Sequence, residues 1–350
     1  MADDAHGDRE PGGRPGGTMT ADVLAEARRI ADDVLFPAAM AVDEADTLPV
    51  WQLDALAAAG LYGIFGPAEA GGLSLDFPAV CAVVEELAGG CLATAFVWIQ
   101  HFGLLGALLD DDAPAHLRDR WLGPACRGEL RGGIALAGLL PGPPVLRARA
   151  VGDGWLLDGA APWVTGWGLV DVLLVSARGP GDTIVTVLLD AVEQPGLTIA
   201  RQRLAAVHAS ATVRLDLADV LVPDGRLVGQ ASFAPSGSLA GPALRVNGSL
   251  ALGLAGRCGR LLGASPLDAE LDECRRRLDL AGTETIQTAR AAAAELALRA
   301  SAALVVHDGS RSITRDQHAQ RLAREALFLL VFGSRPGIKA ELLRRLGAAG

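Results

Sequence analysis

A chain of 350 residues, half of them hydrophobic, is long enough to bury a large core and to divide into two or three structural units. Its net charge of -10 argues against nucleic acid or an anionic membrane as the main partner, since either would need a basic face. The five cysteines, Cys81, Cys91, Cys126, Cys258 and Cys274, form no C-x-x-C pair and have no histidine at ligand spacing, which argues against a disulfide frame or a zinc site and fits buried thiols.

Residues 1–18, rich in glycine, proline and charge, read as a disordered tail ending at residue 19. Thr20 is placed to cap a helix through "ADVLAEARRIADDVLF", and apolar spacing of three and four returns in "LPVWQLDALAAAG". The glycines of "GPAEAGGLSLDF" interrupt that period, and "PAVCAVVEELAGGCLATAFVWIQHFGLLGALL" resumes it, giving a helical domain over 20–130. Apolar runs read as too short for a membrane helix and the N-terminus lacks a secretion pattern, so a soluble, cytoplasmic protein is expected.

From 131 to 240 the texture changes to short β-rich runs with regular turns, which predicts a compact antiparallel β domain. Within it, "DGWLLDGAAPWVTGW" (153–167) holds three of the six tryptophans and reads as strand, turn, strand, with Asp158-Gly159 as a hairpin turn. Helical period returns over 241–350, where Glu295 and Arg299 form an i,i+4 pair and "ARAAAAELALRASAALVV" is apolar over most of its surface. The fold class is α+β in the order helices, sheet, helices.

Four segments in this order resemble the acyl-CoA dehydrogenase flavoprotein family over residues 20–346. "FGPAEAGGLSL" is similar to that family's glycine-rich mouth of the substrate cleft, "VGDGWLLDGAAPWVTG" to its middle-domain hairpin, "HASATVRLDLADVLVP" to the strand that follows, and "QRLAREALFLLV" to its last long helix. The resemblance implies an N-terminal helical domain, a middle β domain, a C-terminal four-helix bundle, FAD as cofactor and an acyl-CoA or acyl-carrier-protein substrate. It further implies a homodimer or homotetramer, or a hetero-oligomer.

By the same resemblance Trp163 stacks near the isoalloxazine, Thr165 bonds flavin N5 or O4, and Ala137 contacts the pyrimidine edge, while Trp155 and Trp167 are structural. Pro143 and Pro144 remove two amide donors from a loop that normally binds phosphate or substrate. The FAD motif of the neighbouring subunit is reduced to Gly309, with Val306 and Ser310 at departed positions and Arg311 as a charge for the pyrophosphate.

Dehydrogenation of an acyl thioester needs a base at the α-carbon. The usual glutamate position falls on Phe332 or Gly333 and the alternative one near Ala243 and Leu244; none is a carboxylate. Glu325 reads as a structural salt-bridge partner. His101 is the best base candidate, with Gln100 as a hydrogen-bonding partner for substrate, and His307 and His318 are expected at the surface. Arg275, Arg276 and Arg277 form a charge run that is either a solvated face or a phosphate or carrier dock. Three functions follow: an acyl-thioester dehydrogenase with an atypical or missing base, a flavin monooxygenase on the same scaffold, or a non-catalytic subunit completing a partner's FAD site.

Overall fold

Helix begins ahead of the point where composition placed it. In the computed structural model, which describes residues 15–234 and 241–348, α1 spans Pro15–Arg29 and runs through a π-helical turn, Ile30–Leu35, into α2, Phe36–Glu44. Thr20 therefore lies inside α1 instead of at its N-cap, and residues 1–14 of the expected tail lie outside the described residues. Next come α3 (Val50–Ala58) and α4 (Phe77–Gly90), the latter capped by Asp76, whose carboxylate accepts from the Ala79 N–H at 2.9 Å.

After α4 follow α5 (Leu92–Trp98), α6 (His101–Leu109) and α7 (Ala115–Cys126). The stretch Leu92–Leu109 is, against expectation, 18 residues long and apolar enough to cross a membrane by length and composition. It is two helices meeting at Ile99 and Gln100, and 72% of it is buried inside the protein, as befits a core pair.

The sheet has eight strands: β1 (Gly132–Ala135), β2 (Leu146–Val151), β3 (Gly154–Val164), β4 (Val172–Arg178), β5 (Thr183–Asp190), β6 (Leu197–Arg201), β7 (Val213–Pro223) and β8 (Leu227–Ser232). Their order is β6-β7-β3-β2-β4-β5-β8, with β1 paired to β4. The expected antiparallel sheet is in fact mixed, because β1 runs parallel to β4, with Gly132 opposite Val172 and Ala135 opposite Val175. The β2–β4 contact, Arg147 opposite Arg178, is also parallel.

Asp158-Gly159 is not a hairpin turn. It sits in the middle of β3, where the register with β7 shifts between Leu157 and Gly159. β3 is bonded on both sides, so a turn there would cost two ladders; a bulge costs one residue of register. Gly159 takes φ +121, and a Cβ on it would come within 2.2 Å of the Val145 carbonyl oxygen. The reversal lies earlier, at Gly152-Asp153 between β2 and β3.

The last unit comprises α8 (Gly241–Leu262), α9 (Leu267–Asp279), α10 (Ile286–Asp308), α11 (His318–Val331) and the shorter α12 (Pro336–Arg345), which packs on α10. Buried Arg245, braced by Ser249 of its own helix (2.6 Å), ties α8 to α9 through Asp279 (2.8 Å) and to α4 through Glu85 (3.3 Å). Arg299 pairs with Glu295, as its spacing predicts, and also with Glu270 of α9. One core joins the N-terminal and C-terminal helices, a second fills the sheet, and a third lies between α6, α7 and β4.

Candidate functional site

A cavity of about 800 Å³ opens where helices and sheet meet. The glycine-rich segment before α4 gives it Phe65 and Leu75, the α5–α6 junction Ile99, Gln100 and Phe102, and the sheet Ile134, Leu136 and Leu174. The start of α8 contributes Pro242, Ala243, Leu244 and Asn247, and the segment after α11 contributes Phe332, Gly333 and Arg335. Both places where the resemblance puts a base therefore face this one space. No Asp, Glu or His lines it among the described residues, and residues 235–240, which precede α8, contain no acidic residue in the sequence. The polar groups at its wall are Gln100, Ser176, Thr186, Asn247 and Arg335. Gln100 donates from Nε2 to the Phe96 carbonyl at 2.7 Å, which fixes its side chain at the wall.

His101 does not share that wall. It is 1% exposed, accepts from the Gly132 N–H through Nδ1 at 3.0 Å and meets the Tyr62 ring edge-on at 4.9 Å. Burial pushes its pKa down to about 4, helped by the charge of Arg131, so it is a neutral core residue. The structure thus corrects the reading of His101 as a base and keeps Gln100 in the cavity. Glu325 is buried against Arg321 at 2.7 Å, the structural pair expected of it. His318 is half-buried and stacks on Phe36 at 4.1 Å, whereas His307 is exposed beside Asp308. Arg275 is taken up by Glu85 and Asp272, and Arg276 and Arg277 by Glu273, so the run presents no unpaired charge for docking.

On the sheet side, Thr165 follows β3 and is 6% exposed. Its Oγ1 lies 3.2 Å from Oγ1 of Thr212, which lies 2.9 Å from Oγ of Ser210. Three hydroxyl protons serve two internal bonds, leaving one for an acceptor outside the trio. Trp163 is 65% exposed at the end of β3, while Trp155 and Trp167 are buried. Ala137 is buried at the head of the 3-10 turn Ala137–Leu139 after β1. Arg178 holds that turn, donating from Nε (3.1 Å) and Nη2 (3.0 Å) to the Gly138 carbonyl and from Nη2 to the Leu140 carbonyl (3.1 Å). Leu136 and Leu139, which line the cavity, are set by the same clamp.

Gly309 and Arg311 are exposed in the turn between α10 and α11. The 14 residues of α11 correspond to a helix about 21 Å long, and it separates them from Phe332 at the cavity. Ser210, Thr212, Asn247 and Arg335 escaped the sequence reading. The hydroxyls two apart in "HASAT" were a usable signal for the first pair; the second pair becomes visible only once α8 and the end of α11 are brought together.

Helical first and last units around a mixed sheet, with a cavity at their junction, define the acyl-CoA dehydrogenase fold. Residues 20–129 match the family model described as acyl-CoA dehydrogenase, N-terminal domain. The chain is 28% identical over 217 residues to the mitochondrial short-chain specific acyl-CoA dehydrogenase of Homo sapiens, a match covering 59% of this chain. It spans about half the length of that relative, 52%. A glutaryl-CoA dehydrogenase from Mycobacterium smegmatis, solved in complex with FADH2, superposes with a TM-score of 0.77 at 21% identity, covering 95% of both chains. A dibenzothiophene monooxygenase from Paenibacillus sp. A11-2 superposes at 0.73 and 18% identity, covering 93% of this chain and 97% of the other.

Proposed function

We propose that the chain is an FAD-dependent oxidoreductase of the acyl-CoA dehydrogenase type, holding the acyl part of a CoA or carrier-protein thioester in the 800 Å³ cavity. Two observations support this reading: an apolar cavity where helices and sheet meet, and, at the end of β3, a buried hydroxyl trio with one proton to give next to an exposed tryptophan on the same strand. That donor set fits FAD. Thr165 would donate to an acceptor on the flavin ring, Trp163 would cover its apolar face, and Ala137 would border its pyrimidine edge. When bound, FAD supplies a two-electron acceptor for hydride.

The chain's own residues exclude water from the acyl group through Phe65, Leu75, Phe102 and Leu174 and orient it with the fixed amide of Gln100. None of them accepts an α-proton. Phe332, Gly333, Ala243 and Leu244 occupy the places from which a base would act, so turnover of a simple acyl thioester is slow by the ~10²- to 10⁴-fold that a placed general base contributes. The same absence favours a second reading, a monooxygenase that uses reduced flavin and oxygen and needs no such base.

Gly309 and Arg311 serve the site of a second subunit. Val306 (80% exposed) and Ile313 (75%) flank them, and Leu327 and Val331 are exposed on α11, which supports a homodimer or a larger assembly. Purified protein is assayed for bound FAD and then for anaerobic bleaching by acyl thioesters. Slow bleaching supports the dehydrogenase-type reading. A yellow protein bleached only by an external reductant supports the monooxygenase, and one that stays colourless with added FAD overturns both in favour of a partner subunit.

A further inference from the structure

The cavity contains an unpaired cation. Arg335 sits between the end of α11 and Pro336, in extended backbone at the N-cap of α12, and its side chain lines the apolar wall. It is half-buried, and no acidic group among the described residues lies within ion-pair distance of it. Most other arginines that are buried to this degree, such as Arg131, Arg245, Arg257 and Arg321, have a carboxylate partner. Burial alone acts on Arg335 and pushes its pKa down, with no charge nearby to oppose it. A guanidinium held against apolar side chains without a counter-ion is costly unless a ligand supplies one.

A second donor lines the same cavity. The Asn247 amide nitrogen lies 2.7 Å from where a Cβ on Gly333, two residues before Arg335, would be. Neither the residues that line the cavity nor residues 235–240 include an acid. We infer that the cavity's ligand carries a carboxylate on its acyl part, received by the planar fork of Arg335 with the Asn247 amide beside it. This rests on the acyl-thioester reading and narrows its substrate class to monothioesters of dicarboxylic acids. The apolar wall accommodates the methylenes between thioester and carboxylate, and the arginine ends that run.

The test measures dissociation constants by tryptophan fluorescence or calorimetry for two CoA thioesters of equal length, glutaryl-CoA and valeryl-CoA, and for their pantetheine analogues, which lack CoA's phosphates. Wild type is expected to bind glutaryl-CoA about ten- to hundredfold more tightly than valeryl-CoA, the range for a hydrogen-bonded charge pair. Arg335→Met, which keeps the apolar stem, erases that preference by weakening glutaryl-CoA far more than valeryl-CoA, and Arg335→Lys retains part of it. The pantetheine pair shows the same preference. Equal wild-type affinity for glutaryl- and valeryl-CoA overturns the inference alone. So does a loss in Arg335→Met that is equal for both CoA thioesters and absent with pantetheine, because the anion met is then a phosphate. Failure of every thioester to bind overturns the acyl-thioester reading, and the inference with it.

Discussion

His101 and Gln100 are neighbours with opposite environments. A helix turns about 100° per residue, so the break at Ile99 and Gln100 points Gln100 into the cavity and His101 into the core. The folded pKa of His101, about 4, lies below the ordinary 6.5. Between those values the unfolded chain binds more protons, so the contribution to stability is complete above pH 6.5 and is lost as pH falls towards 4. At pH 5 the loss is on the order of 2 kcal/mol. His318, also held at about 4 by burial and by the charges of Arg321 and Arg257, acts in the same direction. The check is urea unfolding at pH 7 and pH 5 in wild type and in His101→Gln, whose amide oxygen can still accept from Gly132. Wild type should lose more than the variant by that amount; equal losses would rule out a titrating His101.

The missing base belongs to the same scale. Gly333 has φ +61, and a Cβ there would crowd the Asn247 amide at 2.7 Å, so a glutamate at 333 is strained. Leu244 lies on regular helix and lines the same cavity. Leu244→Glu is therefore expected to raise anaerobic flavin reduction by a simple acyl thioester about 10²-fold, and Gly333→Glu by less. No gain in either variant would mean that a proton acceptor is not what limits the reaction.

At the scale of elements, the glycine-rich segment before α4 is folded tightly on itself. Leu73 and Ser74 donate to the Gly63 and Gly66 carbonyls at 2.8 and 2.9 Å, and a Cβ on Gly72 would approach the Gly66 carbonyl oxygen to 2.1 Å. Gly72→Ala is expected to destabilise the protein by about 2 kcal/mol or more; thermal denaturation measures this, and an unchanged midpoint would mean that the backbone relaxes freely. This segment was legible because its glycines break a helical period on both sides, as were the two turns from helix to sheet and back. β3 was not. Asp-Gly is a strong turn signal locally, and only the presence of β7 on its far side, fixed by pairing more than fifty residues away in sequence, makes a bulge cheaper than a turn. The Leu92–Leu109 run misled for a related reason, since a break between two buried helices is set by what they pack against. The cavity's first wall could be found from sequence spacing, but Arg335 and Asn247 come to line one cavity only through the packing of α8 on the last helices.

At the scale of the whole molecule the issue is where a complete flavin site comes from. One chain presents Trp163 and Thr165 at the end of β3, and Gly309 and Arg311 in the exposed turn between α10 and α11, among exposed Val306 and Ile313. The proposed two-fold assembly would place each set beside the other chain's complementary set, twice over. Trp163→Glu and Arg311→Glu alter exposed side chains and should leave each chain folded while weakening FAD binding. Co-expressed, the two variants form mixed dimers in half the population, and each mixed dimer has one site built from two unaltered halves, so about a quarter of all sites regain FAD. Sedimentation of the same samples must show dimers or larger species. If each chain held its own whole site, mixing would restore nothing, and a monomer at micromolar concentration that binds FAD would refute sharing directly.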